Sequence, residues 1–125
     1  MLRTAPAGVA LLLCLLAASP ALAAQGKKKT MKGYLVDVAC SNERAKELPT
    51  LGTVHTKKCL QMPDCERSGY AVLTPDRKII KFDAAGNEEA KKLIAASSRQ
   101  KDFQISVTGR VQKDMMAVLS MKEVQ

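Results

Sequence analysis

The 125-residue chain has no tryptophan, two tyrosines, two phenylalanines and a single histidine. Proteins that hold single-stranded nucleic acid stack bases on aromatic side chains. Only Tyr34 and Tyr70 offer such a platform here, so nucleic acid is not an expected partner even though the net charge of +8 suits phosphate. Acidic residues are also scarce, 12 against 20 Lys and Arg. None falls in the paired spacing that general acid/base chemistry uses, and Asp37, Asp76 and Asp83 read as caps of turns and strand ends. There is no glycine-rich phosphate loop, no dinucleotide fingerprint and no CxxC redox motif. These absences point away from an enzyme.

No apolar run reaches the roughly 20 residues that a membrane span needs. The longest, Ala7–Ala18, follows Arg3 and precedes Ser19, Pro20 and the small-residue triplet Ala21-Leu22-Ala23. Residues 1–23 therefore read as a secretory signal peptide cleaved after Ala23. A lipoprotein signal centred on Cys14 fits less well, because Leu13 stands where a small residue is needed and apolar sequence continues beyond it. Cleavage removes one Arg and one Cys, leaving 102 residues, a charge of +7 and three cysteines, Cys40, Cys59 and Cys65. The expected location is the periplasm or the outside of the cell, where paired thiols tend to oxidise.

What remains has the composition of one globular domain, 46% hydrophobic and 26% charged over the whole chain. Residues 24–30, with Lys27-Lys28-Lys29, contain nothing to bury and read as a basic flexible tail. Residues 31–125 read as the folded domain. Met31–Cys40 is strand-like, with Gly33 marking a bend. Gly69–Thr74 and Lys78–Asp83 flank Pro75-Asp76-Arg77 as a hairpin. Asn87 then caps a short helix with Ala90, Leu93, Ile94 and Ser97 on one stripe. Strict alternation from Phe103 to Val111 predicts a fourth strand, and Met115–Met121 returns as its partner. The methionines there read as core filler rather than copper ligands.

Three strands, a helix and two strands is the order of the OB-fold, a five-stranded Greek-key barrel. The alternative is an open α+β sheet. Between the first two strands runs a connection from Ser41 to Ser68, far longer than the roughly 15 residues at which loops become functional or disordered. It holds the only histidine and two of the three mature cysteines.

Two readings of this connection follow. In one, a disulfide staples it, and a bridge from Cys40 to Cys59 or Cys65 is preferred because it closes the longer loop, stabilising by about 3 kcal/mol. In the other, Cys40, His55, Cys59 and Cys65 form a Cys₃His metal site suited to Zn or Cu. A helical turn would place His55, Cys59 and Met62 on one face, a set that favours Cu(I). A thiol-redox role through Cys59 or Cys65 beside His55 is a third possibility, without an identifiable orienting group.

The residues Gly33–Cys40, His55, Cys59, Cys65, Gly69–Val72 and Val107–Gly109 together resemble small secreted bacterial proteins of uncharacterised function that share an OB-fold-like strand order and a Cys/His-containing first loop. The resemblance implies export and this fold; it carries over no reaction and no functional residue. The expectation is an exported, non-enzymatic binding or accessory module of the cell envelope, with an envelope protein or a small ligand as partner.

Overall fold

The computed structural model describes residues 26–125. The expected signal peptide, including Cys14, lies outside the described residues. Five strands, β1 (Lys27–Asp37), β2 (Tyr70–Leu73), β3 (Ile79–Phe82), β4 (Gln104–Gln112) and β5 (Met115–Glu123), close into a barrel in the order β1-β2-β3-β5-β4. All neighbours are antiparallel except β3 and β5, which pair in parallel at Lys81–Met115 and Phe82–Met116. This is the OB-fold-like barrel, and not the open sheet.

Closure depends on β1 serving two partners. Lys27–Tyr34 pairs with β4, and Tyr34–Asp37 pairs with β2. The strand bends where it changes partner, and Gly33 sits at that point with its α-carbon against the Leu73 carbonyl, where a Cβ would overlap the oxygen. Glycine is required there by close approach. The barrel interior is filled from alternate positions of every strand, among them Leu35, Val72, Phe82, Ile105, Val107 and Met116. Met116 is fully buried and Met121 packs against the core, whereas Met115 is exposed.

The strand starts earlier than the composition implies. Lys27–Thr30 is not a tail; it pairs with Thr108–Val111, and Thr30 Oγ1 meets Thr108 Oγ1 at 2.7 Å. Backbone pairing needs no apolar side chain, and the lysines keep their charges in water. The strand also ends earlier, at Asp37. There the chain enters a helix because the Asp37 side chain accepts a hydrogen bond from the Cys40 amide, an N-cap that redirects Val38–Cys40 out of the sheet.

The helix between β3 and β4 is longer than expected. Its cap is Asp83, whose Oδ1 accepts from the Gly86 amide at 2.9 Å and the Val118 amide at 3.2 Å. Asn87 is not the cap; its side chain accepts from the Tyr70 amide instead. Gly86, Ala90 and Ile94 form the buried stripe that covers the barrel.

The long connection is folded into short helices. In chain order, and with the β3–β4 helix last, these are α1 (Val38–Glu43), a 3₁₀ turn (Ala45–Glu47), α2 (Leu48–Val54), α3 (Lys57–Leu60), α4 (Pro63–Ser68) and α5 (Ala84–Ala96). Leu51 of α2 packs with Val36, Ala71 and Leu73 on the outer face of β1 and β2. Gly52 lets α2 lie directly on the Tyr34 ring. The connection is thus held by a second small core.

Candidate functional site

Asp37 ends β1, caps α1 and is completely buried. A carboxylate removed from water needs partners for its oxygens. Oδ1 accepts from the Cys40 amide at 2.8 Å, and Oδ2 accepts from His55 Nε2 at 2.6 Å. His55, 3% exposed, is the C-cap of α2, so the helix that covers β1 and β2 also delivers the ring to the carboxylate. Lys57 anchors the following turn, its amide bonded to the Gln100 carbonyl and its Nζ to the Ser97 carbonyl at 2.9 Å.

Each of the three cysteines occupies the third position of a short helix: Cys40 in α1, Cys59 in α3 and Cys65 in α4. Asp37 caps the first and Thr56 the second, with Pro63 opening the third. α1 and α4 pack against each other, and the Val38 amide bonds to the Gly69 carbonyl at 3.0 Å. That packing brings Cys65 to Cys40. One ligand atom each from Asp37, Cys40 and Cys65 lies within 4.8 Å of the other two. Among the described residues no other group of His, Cys, Asp and Glu converges in this way.

The electrostatics follow from placing a carboxylate between two thiols. Burial would push the Asp37 carboxyl up, but the hydrogen bonds from His55 and the Cys40 amide, with the charge of His55, outweigh it and hold the carboxyl below the ordinary range. The Cys40 thiol is pushed up to about 12, first by burial and then by the charge of Asp37. Burial and Asp37 also raise Cys65. Without a cation the two sulfurs are therefore protonated hydrogen-bonding groups at neutral pH. A thiol in that state is a poor nucleophile.

The expected site is corrected in three respects. The bridge from Cys40 to Cys59 or Cys65 is absent, and all three cysteines are free thiols; Cys40 and Cys65 hydrogen-bond to the Asp37 carboxylate and to each other. Cys59 lies outside the converging group. His55, Cys59 and Met62 do not share a helical face, because His55 ends α2 while Cys59 is in α3 and Met62 precedes α4 with 48% exposure. His55 does reach the site, through Asp37.

Asp37 is the residue that the sequence reading passed over as a cap. The signal was present: Asp37-Val38-Ala39-Cys40 places a cysteine three residues after an acidic residue able to cap a helix, and Asp37 lies in a run that is partly apolar on both faces. Tyr70 is similarly reassigned. It is no stacking platform, being 1% exposed, and its hydroxyl donates to the Leu60 carbonyl at 2.6 Å to brace α3 against β2.

Comparison of the chain with protein-family models, with curated proteins and with solved structures finds no significant match.

Proposed function

We propose that this protein is an exported module that binds one thiophilic divalent metal ion, zinc, through Cys40, Cys65 and Asp37, with His55 holding the carboxylate in position. The observation that carries the reading is the convergence of two sulfurs and a buried carboxylate within 4.8 Å, at the meeting point of β1, α1 and α4. Two thiolates with one oxygen donor suit zinc, whereas Cu(I) prefers sulfur and imidazole alone. A bound cation reverses the local electrostatics, neutralising Asp37 and displacing the thiol protons.

His55 takes the part of the outer partner that orients a metal-binding group. Of the three donors only Cys40 is more than marginally exposed, so an ion would enter past Cys40. Coordination would also explain how two adjacent thiols stay reduced in the oxidising compartment that the N-terminal pattern implies.

Native mass spectrometry of protein purified under reducing, zinc-replete conditions tests the reading. One bound zinc is expected, lost in Cys65→Ser and Asp37→Asn and retained in Cys59→Ser. A metal-free mass for the parent chain, or loss confined to Cys59→Ser, overturns it. Copper in place of zinc, in a competition with both ions, overturns the choice of metal.

A further inference from the structure

The outer faces of β1, β4 and β5 carry a second feature, independent of the cysteine cluster. Cross-strand partners share a face of the sheet. Register places Lys28 beside Arg110 and Ala117, Thr30 beside Thr108 and Ser120, and Lys32 beside Ser106 and Lys122. These outward positions, of which Ser106 is buried, hold four cations and no carboxylate. None of the four is in an ion pair among the described residues, where seven other Lys and Arg side chains are paired and eight are not. Strand geometry spreads them over a patch roughly 13 Å along β1 and 10 Å across the three strands.

Next to Ser120 of this face stands an exposed apolar side chain. Thr108 pairs with Ser120 and Gly109 with Val118, which leaves Leu119 as the extra residue of a bulge. Val118 packs against the core, and Leu119 is turned out to 58% exposure, the most exposed large hydrophobic residue described. No aromatic side chain occupies these outward positions. A nucleic-acid strand would find charge here but nothing to stack on, and it gains nothing from Leu119. A bilayer of anionic lipid offers both complements, a plane of negative headgroups for the cations and an apolar layer beneath for the leucine.

We propose that the β1–β4–β5 face, through Lys28, Lys32, Arg110, Lys122 and Leu119, docks the protein on an anionic lipid surface. The proposed attachment is peripheral, through side chains of the sheet; no helix of the described residues is long and apolar enough to cross a membrane. The remainder of β1's outer face, from Tyr34 onward, is covered by α2, so the basic part is the part left free.

Vesicle co-sedimentation tests this, with protein isolated after expression of the full chain. Vesicles of phosphatidylglycerol and phosphatidylcholine in equal parts are compared with phosphatidylcholine alone. Comparison of the parent chain with the face variants, which carry the same N-terminal segment, removes any contribution from that segment. The parent chain is expected to prefer the anionic vesicles, the more so at low salt. Each cation removed from the face should cost about fivefold in partitioning, so Lys32→Gln with Lys122→Gln loses about twentyfold or more. Leu119→Ser should lose severalfold with the charge unchanged. Lys91→Gln with Lys92→Gln removes the same charge from α5 and should lose far less. Equal losses from the two lysine pairs, or no preference for anionic vesicles, overturn the proposal. So does a single-stranded oligonucleotide that displaces the protein from vesicles while Leu119→Ser leaves both affinities intact, an outcome that assigns the face to nucleic acid.

Discussion

His55 Nε2 lies 2.6 Å from Asp37 Oδ2, and both side chains are buried although 18 residues separate them in the chain. This single bond joins the end of the first barrel strand to the end of the helix that covers it. Removing the ring leaves a carboxylate in the interior with one oxygen unpartnered. His55→Ala should therefore destabilise the fold by about 3 kcal/mol, the cost of breaking a buried pair from one side. Urea denaturation measures it. In combination with Asp37→Asn the loss should be clearly less than the two single losses together, because both remove the same interaction.

The pH dependence has a definite sign. Asp37 is held below the ordinary carboxylate range in the folded state, so its contribution is fully present above the unfolded value of about 3.9 and disappears as pH falls through the lower folded value. With chelator present, urea midpoints measured from about pH 6 to about pH 2 should fall for the parent chain. The decline should be shallower in Asp37→Asn. Parallel profiles would show that Asp37 does not titrate with folding.

Thiol reactivity should separate the three cysteines. The reactive form is the thiolate, and Cys40 is pushed up to about 12 while Cys65 is raised as well. In metal-free protein at neutral pH, iodoacetamide should reach Cys59 first and leave Cys40 and Cys65 largely unmodified. Peptide mapping over a time course reads the order. Fast labelling of Cys40 would contradict the placement of its sulfur beside a charged carboxylate.

Tyr70→Phe deletes one hydroxyl and leaves the Leu60 carbonyl without its buried donor. The expected loss is about 1 to 2 kcal/mol in chemical denaturation. The barrel itself keeps its packing, so the far-ultraviolet circular dichroism of the folded state should not change.

Gly52→Ala ought to stabilise a helix by about 1 kcal/mol on propensity alone. Here the added methyl runs into the Tyr34 ring, so the net effect should be destabilising. Thermal melts of Gly52→Ala, Tyr34→Leu and the pair test this. The pair should recover part of the sum of the single losses, because a smaller residue at 34 makes room for the methyl.

Much of the barrel was legible because its signals are local. Alternation from Phe103 to Val111 exposes one face to water and one to the core, which only a strand satisfies. Pro75-Asp76-Arg77 sets a turn, and the apolar stripe of Ala90 and Ile94 marks a helix, so the order of elements and the OB-fold-like architecture follow. The boundaries were less legible. Lys27–Thr30 joins β1 through backbone pairing with β4, which no side-chain pattern records. Asp83 rather than Asn87 caps α5, since Asn87 is drawn to the Tyr70 amide by the neighbouring strand.

The candidate site divides in the same way. Sequence alone singled out Cys40, His55, Cys59 and Cys65 as chemistry-bearing residues in or beside an unusually long connection, and it determined the strands, the turn and the helix around them. Only the tertiary structure decided which of them meet. α1 and α4 pack so that Cys65 reaches Cys40, α3 leaves Cys59 outside, and α2 delivers His55 to an aspartate that looked like a simple cap. The physical reason is range. Periodicity and capping act within a few residues, whereas the neighbours of a buried carboxylate depend on how a whole connection of short helices folds back over the barrel.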